Sequence, residues 1–165
     1  MSLTGRFQVN CAFDEASTFD LATGSLSHKK SALIALLNGT GAGQANKIYS
    51  DSFSVAQSVN TDLDLSGALA GVYGAAVFTA IKGILVVSGA NTGLGNLTIG
   101  NVTNGITLPF GAATHSIAVA PGGFFCTVNP SAAGFPITAG TVDLLRIATS
   151  ATVGTYTFDV VVVGI

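Results

Sequence analysis

Apolar and polar positions alternate with a period of two along much of this chain, the spacing that sets successive side chains on opposite faces of a strand. Phe7-Gln-Val-Asn-Cys-Ala-Phe13 places Phe7, Val9, Cys11 and Phe13 on one face. Asn96-Leu-Thr-Ile alternates with Leu97 and Ile99 inward, and Ile48–Val55 forms a less regular run. Ala75–Ala80 and Ile84–Val87 predict two strands joined by a turn around Lys82. Ser116–Ala120 and Phe124–Val128 are separated by Pro121-Gly-Gly, a strong turn signal. Thr141–Ala148 and Thr155–Val163 complete the set. The unbroken run Val160–Val163 predicts a strand covered on both faces. Ser31–Leu37 is short enough to be helix or strand, and its surroundings favour strand.

Eight or more short strands with turn signals every 8–12 residues predict an all-β fold with little or no helix. The expected architecture is a jelly-roll-like antiparallel β-sandwich forming one domain over residues 1–165. Residues 1–37 are expected as an N-terminal arm or edge strands, because they hold nearly half of the charges.

Composition sharpens this picture. The chain has 165 residues and is 48% hydrophobic, enough for a core. Only 8% of residues are charged, against about one-quarter in an ordinary soluble domain. From Gly83 to Val142 there is no Asp, Glu, Lys or Arg at all. A lone monomer usually keeps its surface soluble with charges of both signs. A chain without them is expected to be covered by copies of itself or by a partner. The net charge is −2, and Lys29-Lys30 is the one adjacent basic pair, so nucleic acid is not an expected partner.

The apolar stretch 68–90 is long enough to span a bilayer. Lys82 and the glycines at 71, 74 and 83 break it, so strands and no membrane span are expected. No signal peptide is read at the N-terminus.

The search for chemistry is negative. The Gly-rich segments 39–43 and 89–95 fit neither a dinucleotide nor a phosphate loop, and both read as turns. His28 and His115 lack a nucleophile in a recognisable setting, and Cys11 and Cys126 read as buried free thiols. No catalytic, metal or cofactor residue is assigned, and the chain is not expected to be an enzyme. Asp62 and Asp64 lie on one face at strand spacing, which predicts a solvated acidic edge strand. Lys82 and Arg146 are isolated cations in apolar surroundings, with Asp143, Asp159 or a neighbouring subunit as expected partners. Lys82, Arg146, Asp62 and Asp64 are therefore the candidate subunit contacts.

Several segments carry a resemblance. They are Asn38-Gly-Thr-Gly-Ala-Gly-Gln-Ala-Asn-Lys-Ile-Tyr-Ser-Asp and Asn60-Thr-Asp-Leu-Asp-Leu-Ser-Gly, then Ile81-Lys-Gly-Ile and Val119-Ala-Pro-Gly-Gly-Phe-Phe. Ile137-Thr-Ala-Gly-Thr-Val-Asp-Leu-Leu-Arg-Ile and Tyr156-Thr-Phe-Asp-Val-Val-Val-Val-Gly complete them. Together, over roughly residues 38–164, they resemble a family of small β-rich structural proteins of tailed bacteriophages. The resemblance implies a virion protein, a minor capsid or decoration (cement) protein that binds and stabilises the assembled head. Its implied partners are copies of itself, as a homotrimer, and the major capsid protein. The alternative is a receptor- or glycan-binding module of a head or tail fibre, which the absence of Trp and the count of 3 Tyr supply poorly.

Overall fold

The structure is a computed structural model that describes residues 2–18, 23–71, 74–90 and 93–165. Asp20, two residues of the 68–90 stretch, and Asn91-Thr92 within the predicted 89–95 turn lie outside the described residues. The described residues contain fourteen strands and no helix. The fold is all-β.

Two long strands come first, β1 (Gly5–Thr18) and β2 (Thr23–Asn38), paired antiparallel along the whole of β1. The short β3 (Gln44–Ala45) adds to the end of β2 in parallel. Then follow β4 (Lys47–Ala56), β5 (Asn60–Asp64), β6 (Leu69–Gly71), β7 (Gly74–Ala76) and β8 (Ala80–Ser88). The chain continues through β9 (Leu97–Gly100), β10 (Ser116–Val119), β11 (Phe124–Val128) and β12 (Phe135–Pro136), and ends with β13 (Leu144–Thr149) and β14 (Thr155–Gly164).

One sheet has the order β11-β8-β14-β4, with β12 also paired to β8; a second has the order β10-β9-β13-β5. Consecutive strands repeatedly cross between the two: β4 to β5, β8 to β9, β10 to β11, β12 to β13, and β13 to β14. The Pro121-Gly-Gly turn thus carries the chain from one sheet to the other rather than closing a hairpin.

Both sheets feed one core. Along β14 Tyr156, Phe158, Val160 and Val162 are buried, while Thr155, Thr157 and Asp159 are exposed. They join Ile84 and Val86 of β8, Leu97 and Ile99 of β9, and Leu145 and Ile147 of β13 in a single buried cluster. The alternation needed to bury one face of each strand is what the sequence pattern supplies. Full burial of each large aliphatic or aromatic side chain contributes about 1.5–3 kcal/mol.

The region around Lys82 corrects the sequence reading. No turn divides it: Lys82 lies inside β8 and is fully buried. Gly83, taken as a breaker, is a strand residue paired with Val163 and Val128. It is glycine because the Phe7 ring occupies the space where a Cβ would stand. Ser31–Leu37 is strand, as its surroundings suggested. Among the described residues no helix is long and apolar enough to cross a membrane.

Candidate functional site

The β1–β2 ribbon is the most unusual surface of the molecule. Its paired rows run from Gly5–Leu36 to Thr18–Thr23. Fourteen rows at about 3.3 Å each give a ribbon roughly 46 Å long. Only its root is packed. Leu36 is buried, and Phe7 and Ile34 lie against a small cluster formed by Leu36, Ala45 and Val163. From Gln8 to Ala16 and from Ser25 to Leu33 every side chain is exposed. A lone two-stranded ribbon is marginally stable in water, so within this chain a long exposed one depends on its packed root.

Its two faces differ. Directly paired residues share a face, so Phe7/Ile34, Val9/Ala32, Cys11/Lys30, Phe13/His28 and Glu15/Leu26 form one side. The opposite side carries Arg6, Gln8, Asn10 and Asp14 with Ser25, Ser27, Lys29 and Ser31. Ala12, Ala16, Leu33 and Ala35 interrupt that polar side. The first face is an apolar stripe, on which Phe13 is 69% exposed and Leu26 54%.

Because Phe7 seats over Gly83, the stripe starts on the side turned toward the outer face of the β11-β8-β14-β4 sheet. Between ribbon root and sheet lies a groove of about 520 Å³. Phe7 and Val9 line it on one side, and Leu85, Phe124, Cys126 and Val161 on the other. Phe124 is itself 60% exposed. The apolar surface is therefore continuous from the groove to the outer ribbon.

Of the four residues singled out in the sequence, the structure pairs Arg146 with Asp62 and gives Asp64 and Lys82 separate roles. Arg146 Nε and Nη2 donate to Asp62 Oδ1 and Oδ2 at 2.7 and 2.6 Å, a two-pronged pair across β13 and β5. Those hydrogen bonds hold the Asp62 carboxyl below the usual carboxylate range. Arg146 is thus satisfied inside its own chain, not by Asp143 or Asp159. Asp64 accepts from Ser66 N and Gly67 N, closing the turn after β5. Asp143 accepts from Ser66 Oγ and Gly140 N, and Asp159 from Ser52 Oγ.

Lys82 is the clearest departure. It is fully buried, so it cannot serve as a subunit contact. Its Nζ donates to the carbonyl oxygens of Ser131 and Ala132, pinning the turn between β11 and β12. Burial pushes its pKa down. Nothing in sequence marks a lysine whose partners are backbone carbonyls about 50 residues away.

The thiols also differ from expectation. Cys11 is exposed on the stripe, Cys126 is half-buried in the groove, and both are free. Burial pushes the Cys126 thiol up. A strand in a ribbon with no second layer cannot bury its side chains, whatever their hydropathy.

His28 lies on the ribbon beside Phe13, and the His115 ring sits 3.1 Å from the carbonyl oxygen of Phe110. Among the described residues neither pairs with a hydroxyl, thiol or carboxylate that would form a catalytic pair. Tyr49 donates to Asp51 Oδ2 at 3.2 Å and is pushed up to about 12, chiefly by burial. Among the described residues no group of three or more His, Cys, Asp or Glu is placed to hold a metal ion. What the arrangement offers is an exposed apolar surface along the ribbon and groove.

No protein-family model, no curated protein and no solved structure matches this chain.

Proposed function

We propose that this chain is a structural subunit of a tailed-bacteriophage particle, a decoration protein that self-associates and binds the assembled head. The observation that carries this reading is the long β1–β2 ribbon with its exposed apolar stripe. A stripe of that kind is a liability on a solitary protein and an asset on one that is covered after assembly. The stretch without Asp, Glu, Lys or Arg from Gly83 to Val142 supports the reading, because interface cores are depleted in charge. So does the resemblance of residues 38–164 to phage structural proteins. The mechanism is mass action: a protein that binds only the assembled lattice stabilises it by its binding free energy.

The glycan-binding alternative draws less support. The groove beside the ribbon is lined mainly by apolar side chains, without the carboxylates that would grip a sugar.

The test is to mix the purified chain with undecorated phage heads and pellet them. Co-sedimentation at a fixed ratio to capsid subunits, with heads then more resistant to heat and low ionic strength, is expected. Protein that stays in the supernatant would overturn the reading.

A further inference from the structure

We propose that the apolar face of the β1–β2 ribbon is a self-complementary surface, which packs antiparallel against the same face of a second copy around a two-fold axis at Phe13. The argument starts from the order of side chains on that face. Successive rows carry Val9/Ala32, Cys11/Lys30, Phe13/His28 and Glu15/Leu26. Lys30 and Glu15 are its charged residues, and each stands two residues along the strand from the Phe13 row, on opposite sides. Four residues along a strand is about 13 Å, too far for them to pair within one ribbon. A second ribbon laid on the first with its direction reversed about Phe13 changes this. Lys30 of each copy then lies in the row facing Glu15 of the other, and the two Phe13 rings meet at the axis. Both charges gain a partner at once, as an isologous contact requires.

Other overlays do worse. A parallel overlay sets Lys30 against the row of Cys11 and leaves Glu15 over Leu26. Pairing through the polar side would cover Asn10, Ser27 and Ser31 and leave the apolar stripe in water.

The reversed overlay also reaches the groove. It sets the Thr18–Thr23 row of one copy level with the Gln8–Leu33 row of the other, at the groove lined by Val9, Phe124 and Cys126. The overlap from row 8 to row 18 covers roughly 35 Å by 10 Å, about 350 Å² per copy. A stand-alone interface needs about 800 Å² per partner. The ribbon contact therefore acts between copies that another surface already holds close, where effective concentration is high.

This inference rests on reading the chain as an assembly component, but it fails separately from it. The test uses disulfide trapping in a Cys11→Ser, Cys126→Ser background. Phe13→Cys, at the axis, is expected to give a covalent dimer on mild oxidation. Ser27→Cys, on the opposite face, is expected to give no covalent dimer. Glu15→Lys or Lys30→Glu alone should lower the Phe13→Cys dimer yield several-fold, and the two reversals together should restore it. All these positions but the half-buried Cys126 are exposed, and circular dichroism checks that each variant is folded. Equal trapping from both faces, no trapping from Phe13→Cys, or a double reversal that does not restore the yield would overturn the proposal. If trapping fails while the protein still pellets with heads, the ribbon contacts a different chain: the assembly reading stands and this inference falls.

Discussion

The ring of Phe7 rests on Gly83, filling the place a side chain on β8 would occupy. This contact, between the first strand and a central strand of the larger sheet, fixes where the ribbon leaves the body. It also determines which ribbon face turns toward the groove. Gly83→Ala should therefore displace Phe7 and loosen the root, and Phe7→Ala should empty it. We expect Phe7→Ala to cost up to about 1.5–3 kcal/mol locally, the transfer value of a large apolar side chain, and to raise amide exchange in β1 and β2. Exchange from Tyr156 to Val160 of β14 should be little changed, since the inward side chains there belong to the other cluster. Equal acceleration in ribbon and core would show that the root is not an independent anchor.

Lys82 anchors the turn between β11 and β12 through two carbonyl oxygens. Lys82→Met keeps most of the volume but leaves those acceptors without their donor. The expected loss is about 1–3 kcal/mol, the usual penalty for a buried group left unpaired, read as a lower melting temperature. Linkage adds a second signature. Burial depresses the folded pKa of Lys82 below 10.5, so between the two values the unfolded chain binds more protons. Stability through Lys82 thus rises with pH across that window, and Lys82→Met should flatten the rise. An unchanged alkaline slope would contradict this.

Asp62 gives the opposite limb. Its folded pKa is lowered by the hydrogen bonds from Arg146, so its contribution is present above the ordinary carboxylate range. It is lost as pH falls through the depressed value. The pair is partly exposed, at 25% and 35%, so the effect is small and weakens with salt. Denaturant titrations of wild type and Asp62→Asn should differ at pH 7 and draw together as the pH falls below the ordinary carboxylate range. A difference that persists at the acid end would rule the pair out as its source.

The two cysteines should separate by reactivity. In dilute protein Cys11 is open to solvent, whereas Cys126 is half-buried with its thiol pushed up by burial. A disulfide reagent should modify one thiol quickly and one slowly, and Cys11→Ser should remove the fast phase. Loss of the slow phase instead would reverse the assignment.

Much of the fold was legible because strands with one buried face write their pattern into the sequence. β9 and β14 are clear cases, with Leu97 and Ile99, or Phe158 and Val160, at alternate positions. The alternation from Phe7 to Phe13 was equally clear, yet it does not say whether the apolar face meets a core or solvent. That depends on what lies opposite, which is long-range information, and it is why Cys11 was read as buried. Lys82 was misplaced for a related reason. A charged residue between glycines looks like a turn until the carbonyls that satisfy it, and the ring that needs Gly83, are in view. The Asp62–Arg146 pair follows from the register of β5 against β13, which no local pattern fixes.

The most direct measurement is pelleting with undecorated heads, comparing wild type with a variant whose ribbon stripe is made polar by Val9→Thr, Phe13→Thr and Leu26→Thr. The three side chains are exposed, so the variant should keep the wild-type melting curve. The account predicts that wild type co-sediments and the variant stays largely in the supernatant. Equal co-sedimentation of both, or of neither, would contradict the claim that this chain works through its ribbon.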